Sequence, residues 1–263
     1  MKTKTQTTET ICNHVMELQR QRVGIIKMIN AQNSQAVAFV SRLVEYDSFD
    51  DEKERQKKWN LCKKIHKAIV KDEPAPEGQE QAYNLAKPVV ISAQLSMDGL
   101  TAERKKIEKA MTDCVKQLDI CDWWISEKGR SFQGLAVIIG EAGNLDNYAN
   151  PAKLWKRFGV AVLDGIRQGG LSKGAKADDW IEHGYCPRRR AALWTIGDCL
   201  IKTNGADGTY RQTYNNRKEI EKTKVDKDGK DIRPIVAHRR AQRYMEKRLL
   251  RDLWNEWHGE TAA

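Results

Sequence analysis

The sequence lacks the cysteine and histidine spacing of a zinc-binding domain. It has six cysteines, and no two of them form a Cys-x-x-Cys pair, the spacing that zinc fingers and ribbons use. The five histidines are scattered, and no two make a metal-binding pair. The sequence therefore predicts no metal site and no cofactor. We expect the cysteines to be reduced, buried thiols of a cytoplasmic protein.

The chain also has little sequence that could enter a membrane. No stretch approaches the roughly 18 consecutive apolar residues of a membrane-spanning helix. The first ten residues, MKTKTQTTET, contain no apolar segment of the kind that signal peptides carry. We therefore expect no signal peptide, no membrane partner and a cytoplasmic location.

Patterns typical of β-strands are absent, whereas helical spacing is common. Apolar residues alternate steps of four and three from Ile11 to Leu43, with polar interruptions at Arg22 and Gln32, which is the coiled-coil pattern. A weaker pattern follows over 49–70, and a second clear one runs from Leu100 to Ile125. The sequence predicts an all-α fold.

Changes of composition divide the chain into four segments. We predict an N-terminal helical coiled-coil arm over 1–70, a linker or loop over 71–99 and a second arm helix over 100–126. A compact domain follows over 127–258, where glycines separate short apolar runs. The two arm patterns could pair antiparallel within one chain or join two subunits, and the sequence leaves both open. We expect a homo-oligomer formed through the arm.

The charge is strongly basic and unevenly placed. The chain has 46 Lys and Arg against 36 Asp and Glu, a net charge of +10. Residues 184–263 alone contain 18 Lys and Arg against 11 Asp and Glu. Such concentration favours a surface that contacts phosphates, and hence a nucleic-acid partner, DNA or structured RNA or both. The alternatives are a solvated helical face with internal salt bridges and a basic surface that binds an acidic protein.

Three stretches carry the candidate nucleic-acid contacts. A glycine-bearing turn at 130–134 precedes an apolar helix, as in a helix-hairpin-helix, where exposed backbone amides bind a phosphate. An arginine triplet opens a predicted helix over 187–202. The last helix, 237–257, is amphipathic and carries several cations off its apolar stripe. The candidate residues are Gly134, Arg188, Arg189, Arg190, Arg239, Arg240, Arg243 and Lys247.

A glycine loop at 169–174 is the one candidate for covalent chemistry. It places Ser172 beside Lys173, and such a serine could attack a phosphoryl group. The loop lacks the order of a Walker A motif. The alternatives are a phosphate-binding turn and an ordinary surface loop.

The order of motifs resembles the C-terminal transposase domain, with its preceding helical arm, of the Piv/MooV-type insertion-sequence transposases, the bridge-RNA-guided family. The resemblance covers roughly residues 12–257. The matching motifs are FQGLA at 132–136, IGEAGNL at 139–145, NPAKLW at 150–155, FGV at 158–160, and HGY at 183–185 leading into RRRAAL at 188–193.

The resemblance implies a compact helix-hairpin-helix-like transposase domain, DNA recombination as the context, and Ser172 as the equivalent of the family's serine nucleophile. This chain departs from the family in two respects. It has no N-terminal RuvC-like domain with acidic metal ligands, and Ser172 matches only if the loop has shifted. We therefore expect a nucleic-acid-binding, transposase-related protein. It would be a truncated, a repurposed or a split recombinase. The alternatives are an active recombinase subunit with a separate RuvC-like chain and a basic helical scaffold.

Overall fold

The fold is all-α, as the sequence predicts. A computed structural model describes residues 2–172, 174–226 and 228–259, with the backbone alone for 2–6. The helices are α1 (Lys2–Leu43), α2 (Glu52–Val70), α3 (Glu80–Val115), α4 (Cys121–Ile125), α5 (Phe132–Ala142), α6 (Pro151–Arg157), α7 (Ala177–His183), α8 (Pro187–Thr203), α9 (Thr209–Lys222) and α10 (Pro234–Trp257). A 3-10 turn covers Leu145–Asn147. Across these described ranges, no helix is both long and apolar enough to span a membrane.

One small β-hairpin was not expected from the sequence. Strand β1 (Val162–Leu163) pairs antiparallel with β2 (Ile166–Arg167), with Val162 opposite Arg167. Two residues per strand are too few to show an alternating pattern, which explains why no strand is predicted here from the sequence. Asp164 and Gly165 make the turn, and both have positive φ.

The chain divides into two compact units. Unit 1 contains Met1–Gln19 and Ala110–Ala263, and unit 2 contains Arg20–Lys109. Unit 2 is therefore one uninterrupted stretch, whereas unit 1 is assembled from both ends of the chain. The candidate sites predicted from the sequence all belong to unit 1.

Unit 2 is built from parts of α1 and α3 together with α2. Asp51 caps α2, because its carboxylate accepts hydrogen bonds from the N–H groups of Lys53 and Glu54 at 2.8 and 3.0 Å. Within unit 2, α1 and α3 run antiparallel, with Arg22 Nε donating to Glu108 Oε1 at 2.8 Å. The buried core residues of the unit are Ala36, Val40, Cys62, Ile65, Ala68, Ile69, Ala82, Tyr83, Ala86 and Val90. The arm patterns thus pair within the chain here, and oligomer formation stays a prediction.

The predicted linker over 71–99 is largely helical in the structure. Only 71–79 is a loop, because α3 begins at Glu80 and continues through Pro88 to Val115. Proline inside a helix removes a backbone donor and usually costs about 3 kcal/mol. Here Tyr83, Ala86 and Val90 are all buried in the core of unit 2. Burial of this apolar stripe offsets the cost of the proline.

Unit 1 packs around α5 and α10. Residues 134–139 of α5 are all buried, and α10 buries a stripe that includes Ala241, Met245, Leu249 and Leu253. Two tryptophans connect α10 to the segment around α6: Trp155 Nε1 donates to the Lys247 carbonyl at 3.0 Å, and Trp254 Nε1 donates to the Tyr148 carbonyl at 2.7 Å. Each ring thereby satisfies its one polar atom. These bonds fix α6 against α10.

Candidate functional site

The arginine triplet at the start of α8 is mostly held by buried carboxylates. Arg188 pairs with Glu141, which is 2% exposed, and Arg189 Nε lies 3.9 Å from the same carboxylate. Arg190 pairs with Glu246 at 2.9 Å, and Glu246 is fully buried. Internal salt bridges, one of the alternatives from the sequence, therefore account for much of this cationic run.

Most of the predicted cations of α10 also have partners within the fold. Arg240 pairs with the buried Glu221 at 3.1 Å. Arg243 Nη2 donates to the Gly159 carbonyl at 2.9 Å, and burial lowers its pKa to about 10. The Lys247 ammonium lies 4.8 Å from the centre of the Trp155 ring. Arg239 is exposed, and no partner holds it within the described part of the chain.

The glycine turn at 130–134 does not present a free amide. Gly134 is buried, and its N–H donates to Ser131 Oγ at 3.1 Å. Arg130 is also buried, with its guanidinium 4.3 Å from the centre of the Trp123 ring. The predicted phosphate contact at Gly134 is therefore corrected: the serine that caps α5 occupies the amide that a phosphate would need.

Ser172 lies exposed in the loop between β2 and α7. Its carbonyl accepts a hydrogen bond from the Ala175 N–H at 3.1 Å. Among residues 2–172, 174–226 and 228–259, no side chain hydrogen-bonds its hydroxyl, and no group of three or more His, Cys, Asp or Glu could hold a metal. Lys173, its predicted neighbour in the motif, lies outside the described residues.

A basic cavity lies between α6, α7 and the start of α8. Its volume is about 760 Å³. We call it the α6–α8 pocket and define it by its charged and aromatic lining: Tyr148, Lys153, Lys156, Arg157, Trp180, Glu182, Tyr185 and Arg189. The lining thus contains four cationic side chains and one acidic side chain. Only Arg189 belongs to the set of residues predicted from the sequence.

Local sequence positions the cations of α6. Asn150 caps the helix by accepting a hydrogen bond from the Lys153 N–H at 3.2 Å, and Pro151 begins it. Lys153, Lys156 and Arg157 follow at spacings of three and four, which place them on one side of the helix. No carboxylate in the described ranges pairs with either lysine. Both ammonium groups therefore remain open to a ligand.

The two arginines of the pocket are held close together by backbone carbonyls. Arg157 Nε donates to the Glu141 carbonyl at 3.0 Å, and Arg189 Nη1 donates to the Arg157 carbonyl at 3.5 Å. Burial, and then the charge of Arg157, lowers the pKa of Arg189. The first turn of α8 contains no acid, and no side chain caps its N-terminus at Cys186. Glu141 offsets part of the positive charge of Arg189, but the cations and the N-terminus of α8 together still favour an anion.

Glycines allow the aromatic residues to reach the pocket. A Cβ atom at Gly159 would lie 2.9 Å from two carbons of the Tyr185 ring, so no larger residue fits there. A Cβ atom at Gly170 would lie 3.6 Å from Trp180 and 3.9 Å from Tyr185. The loop that carries Ser172 therefore passes directly beside these two rings.

Sequence reasoning missed Lys153, Lys156 and Arg157. The signal was present, because three cations at helical spacing follow a strong helix start. The arginine triplet of α8 has a higher density of positive charge and was therefore chosen instead. Its buried carboxylate partners lie 47 or more residues away in the chain, so the sequence does not show that the triplet is paired. No protein-family model, curated protein or solved structure matches this chain.

Proposed function

We propose that this protein binds nucleic acid, and that the α6–α8 pocket provides its main phosphate contacts. The observation that supports this is the convergence of four cations, Lys153, Lys156, Arg157 and Arg189, around one cavity with a single acid. Guanidinium groups bind phosphate oxygens with paired hydrogen bonds, and lysines add point charges.

The lining of the pocket favours nucleic acid over an acidic protein. Tyr148, Trp180 and Tyr185 accompany the cations, and the combination of aromatic rings with basic groups is typical of sites that bind both a sugar–phosphate backbone and its bases. An acidic protein would need only the charges. The basic scaffold hypothesis therefore leaves the aromatic lining without a role.

We further propose a transposase-related context in the cytoplasm, as a truncated, repurposed or split recombinase. A catalytic role for Ser172 is the second candidate. The observation in its favour is that Gly170, in the same loop, lies close to the pocket, since an added Cβ atom there would be 3.6 Å from Trp180 and 3.9 Å from Tyr185. A nucleic-acid strand in the pocket would pass near this hydroxyl. A separate RuvC-like chain and a homo-oligomer are the partners that this proposal includes.

A salt titration tests the proposed binding. Affinity for single-stranded DNA, duplex DNA and structured RNA is measured by fluorescence anisotropy between 50 and 400 mM salt, with polyglutamate as an unrelated polyanion. We expect at least one nucleic acid to bind more tightly than polyglutamate, with log affinity falling linearly with log salt. Equal binding of all polyanions would contradict the proposal.

The serine is tested separately with Ser172→Ala. In a strand-transfer assay with divalent metal and a supplied RuvC-like partner, we expect product from the parent chain and none from the variant, because the hydroxyl is the attacking group. Product formation that survives the substitution would refute the nucleophile assignment. Binding by the variant should equal that of the parent.

A further inference from the structure

We infer that the α6–α8 pocket holds one unpaired nucleotide, with its phosphate against Arg157 and Arg189 and its base against Trp180 and Tyr185. This inference rests on the proposed nucleic-acid binding and specifies which kind of nucleic acid is bound. A single strand, a strand end or a base turned out of a helix can supply such a nucleotide.

The shape of the site points to a whole nucleotide rather than a phosphate alone. Its volume of about 760 Å³ lies within the roughly 300–1,000 Å³ that is typical of ligand-binding clefts and cavities. The pocket is an open cleft on the surface of unit 1. A cavity of this size with aromatic residues in its lining has room for a base beside the phosphate.

The phosphate end is defined by Arg157 and Arg189. Each uses one nitrogen on a backbone carbonyl, Arg157 through Nε and Arg189 through Nη1. Arg189 Nε is buried beside the Glu141 carboxylate. The Nη2 group of Arg189 and the two terminal nitrogens of Arg157 remain as donors for oxygen atoms of a phosphate. The uncapped N-terminus of α8 adds its partial positive charge at Cys186, which also lines the cavity. An anion here also relieves the repulsion between the two guanidinium groups.

The base end is defined by Trp180 and Tyr185. Both rings are partly exposed, and both line the cavity. The backbone at Gly159 and Gly170 runs close to these rings, because an added Cβ atom would lie 2.9 Å from Tyr185 at the first position and 3.6 Å from Trp180 at the second. Stacking on an aromatic ring tolerates any base, because every base has a π face. In an intact duplex those faces are covered by neighbouring base pairs. The two rings therefore favour unpaired nucleotides over paired ones.

The experiment compares two substrates with the full-length chain. A labelled 12-nucleotide single strand and the duplex of the same sequence are titrated against Trp180→Ala, Trp180→Phe and Trp194→Ala. Trp194 is a matched control, because it is an exposed tryptophan on α8 outside the pocket. Stacking of one base corresponds to roughly 5- to 150-fold in affinity.

We expect Trp180→Ala to weaken single-strand binding by that factor and duplex binding by less than twofold. Trp180→Phe keeps a ring and should retain most of the affinity, and Trp194→Ala should match the parent. Strands with one abasic position, tested on the unchanged protein, should bind more weakly by a similar factor. This comparison does not depend on how any variant folds.

The outcomes separate the two proposals. Equal losses on both substrates, or no effect of abasic positions, would overturn the nucleotide pocket while nucleic-acid binding stands. Failure to bind any strand would overturn both. Tight binding of AMP without affinity for any strand would identify a free nucleotide as the ligand and would also overturn both.

Discussion

Replacing both pocket lysines by alanine tests the phosphate contacts quantitatively. Lys153 is exposed and Lys156 is partly exposed, so the double variant Lys153→Ala/Lys156→Ala should fold normally, with stability changes within about 0.5 kcal/mol per site. Each phosphate contact on a single strand contributes about −0.7 to the slope of log affinity against log salt. Loss of two contacts therefore makes the slope about 1.4 less steep.

The same relation gives the loss of affinity. At 0.1 M salt, a slope of 0.7 per contact corresponds to about fivefold per lysine, and hence about 25-fold for the pair. Fluorescence anisotropy with a labelled single strand, over 50 to 400 mM salt, measures both the slope and the affinity. The two quantities must change together, because both arise from release of the same counterions.

The matched control is Lys64→Ala/Lys67→Ala on α2. These lysines have the same i, i+3 spacing, are exposed, and lie in unit 2. Their removal lowers the net charge by the same amount. If this control loses as much affinity as the pocket variant, binding depends on total charge alone and the pocket assignment is refuted. An unchanged slope in the pocket variant would refute it as well.

Three further predictions concern the stability of the folded chain. Burial raises the pKa of Glu246 to about 7 from 4.5, so the folded chain binds this proton more tightly than the unfolded chain, and stability present below pH 4.5 is lost as the pH rises through 7. As the pH rises from 4.5 to 8, the free energy of unfolding measured in urea should therefore fall by about 3 kcal/mol less in Glu246→Gln than in the parent, whatever the constant cost of losing the ion pair with Arg190. Gly140→Ala should destabilise by about 1–3 kcal/mol, because its Cβ would lie 2.6 Å from the Gln19 Cβ. Gly24→Ala, also inside a helix but with nothing within 4 Å, should stabilise by about 0.5–1 kcal/mol.

Controls make these stability predictions specific. Glu256→Gln alters an exposed carboxyl group on α10 and should leave the pH dependence unchanged. A stability difference between Glu246→Gln and the parent that stays constant with pH would contradict the assigned protonation. A stabilising effect of Gly140→Ala would mean that α5 does not pack closely on Gln19.

The helices of unit 1 could be predicted from the sequence because their signals are local. Asn150 with Pro151, and Pro187 ahead of an apolar run, mark starts of α6 and α8 that the structure confirms. The region 80–99 was missed because its local signal, Pro88, opposes the helix. The region is helical because Tyr83 and Ala86 are buried against other parts of unit 2. These contacts exist only in the folded chain and are not visible in the local sequence.

The site could be predicted only in part for a related reason. Sequence gives the number of cations but not their partners. Arg188 and Arg190 meet carboxylates that lie 47 and 56 positions away, so their charges are largely neutralised inside the fold. Lys153 and Lys156 lack such partners in the described ranges. A charge that the fold leaves unpaired is more informative than a run of charges in the sequence.

The discontinuity of unit 1 has a consequence for synthesis on the ribosome. Residues 20–109 form a continuous segment and can fold as soon as they emerge. The first 19 residues cannot complete their packing at that stage, because Gln19 Nε2 donates to Glu141 at 2.7 Å across 122 positions of chain. Closing contacts so distant in sequence is slow. Until α5 has been translated, Cys12, Val15 and Leu18, which are all buried in the finished fold, present an apolar surface to the cell. Chaperones that recognise such surfaces should therefore associate with the segment 12–18 of the nascent chain.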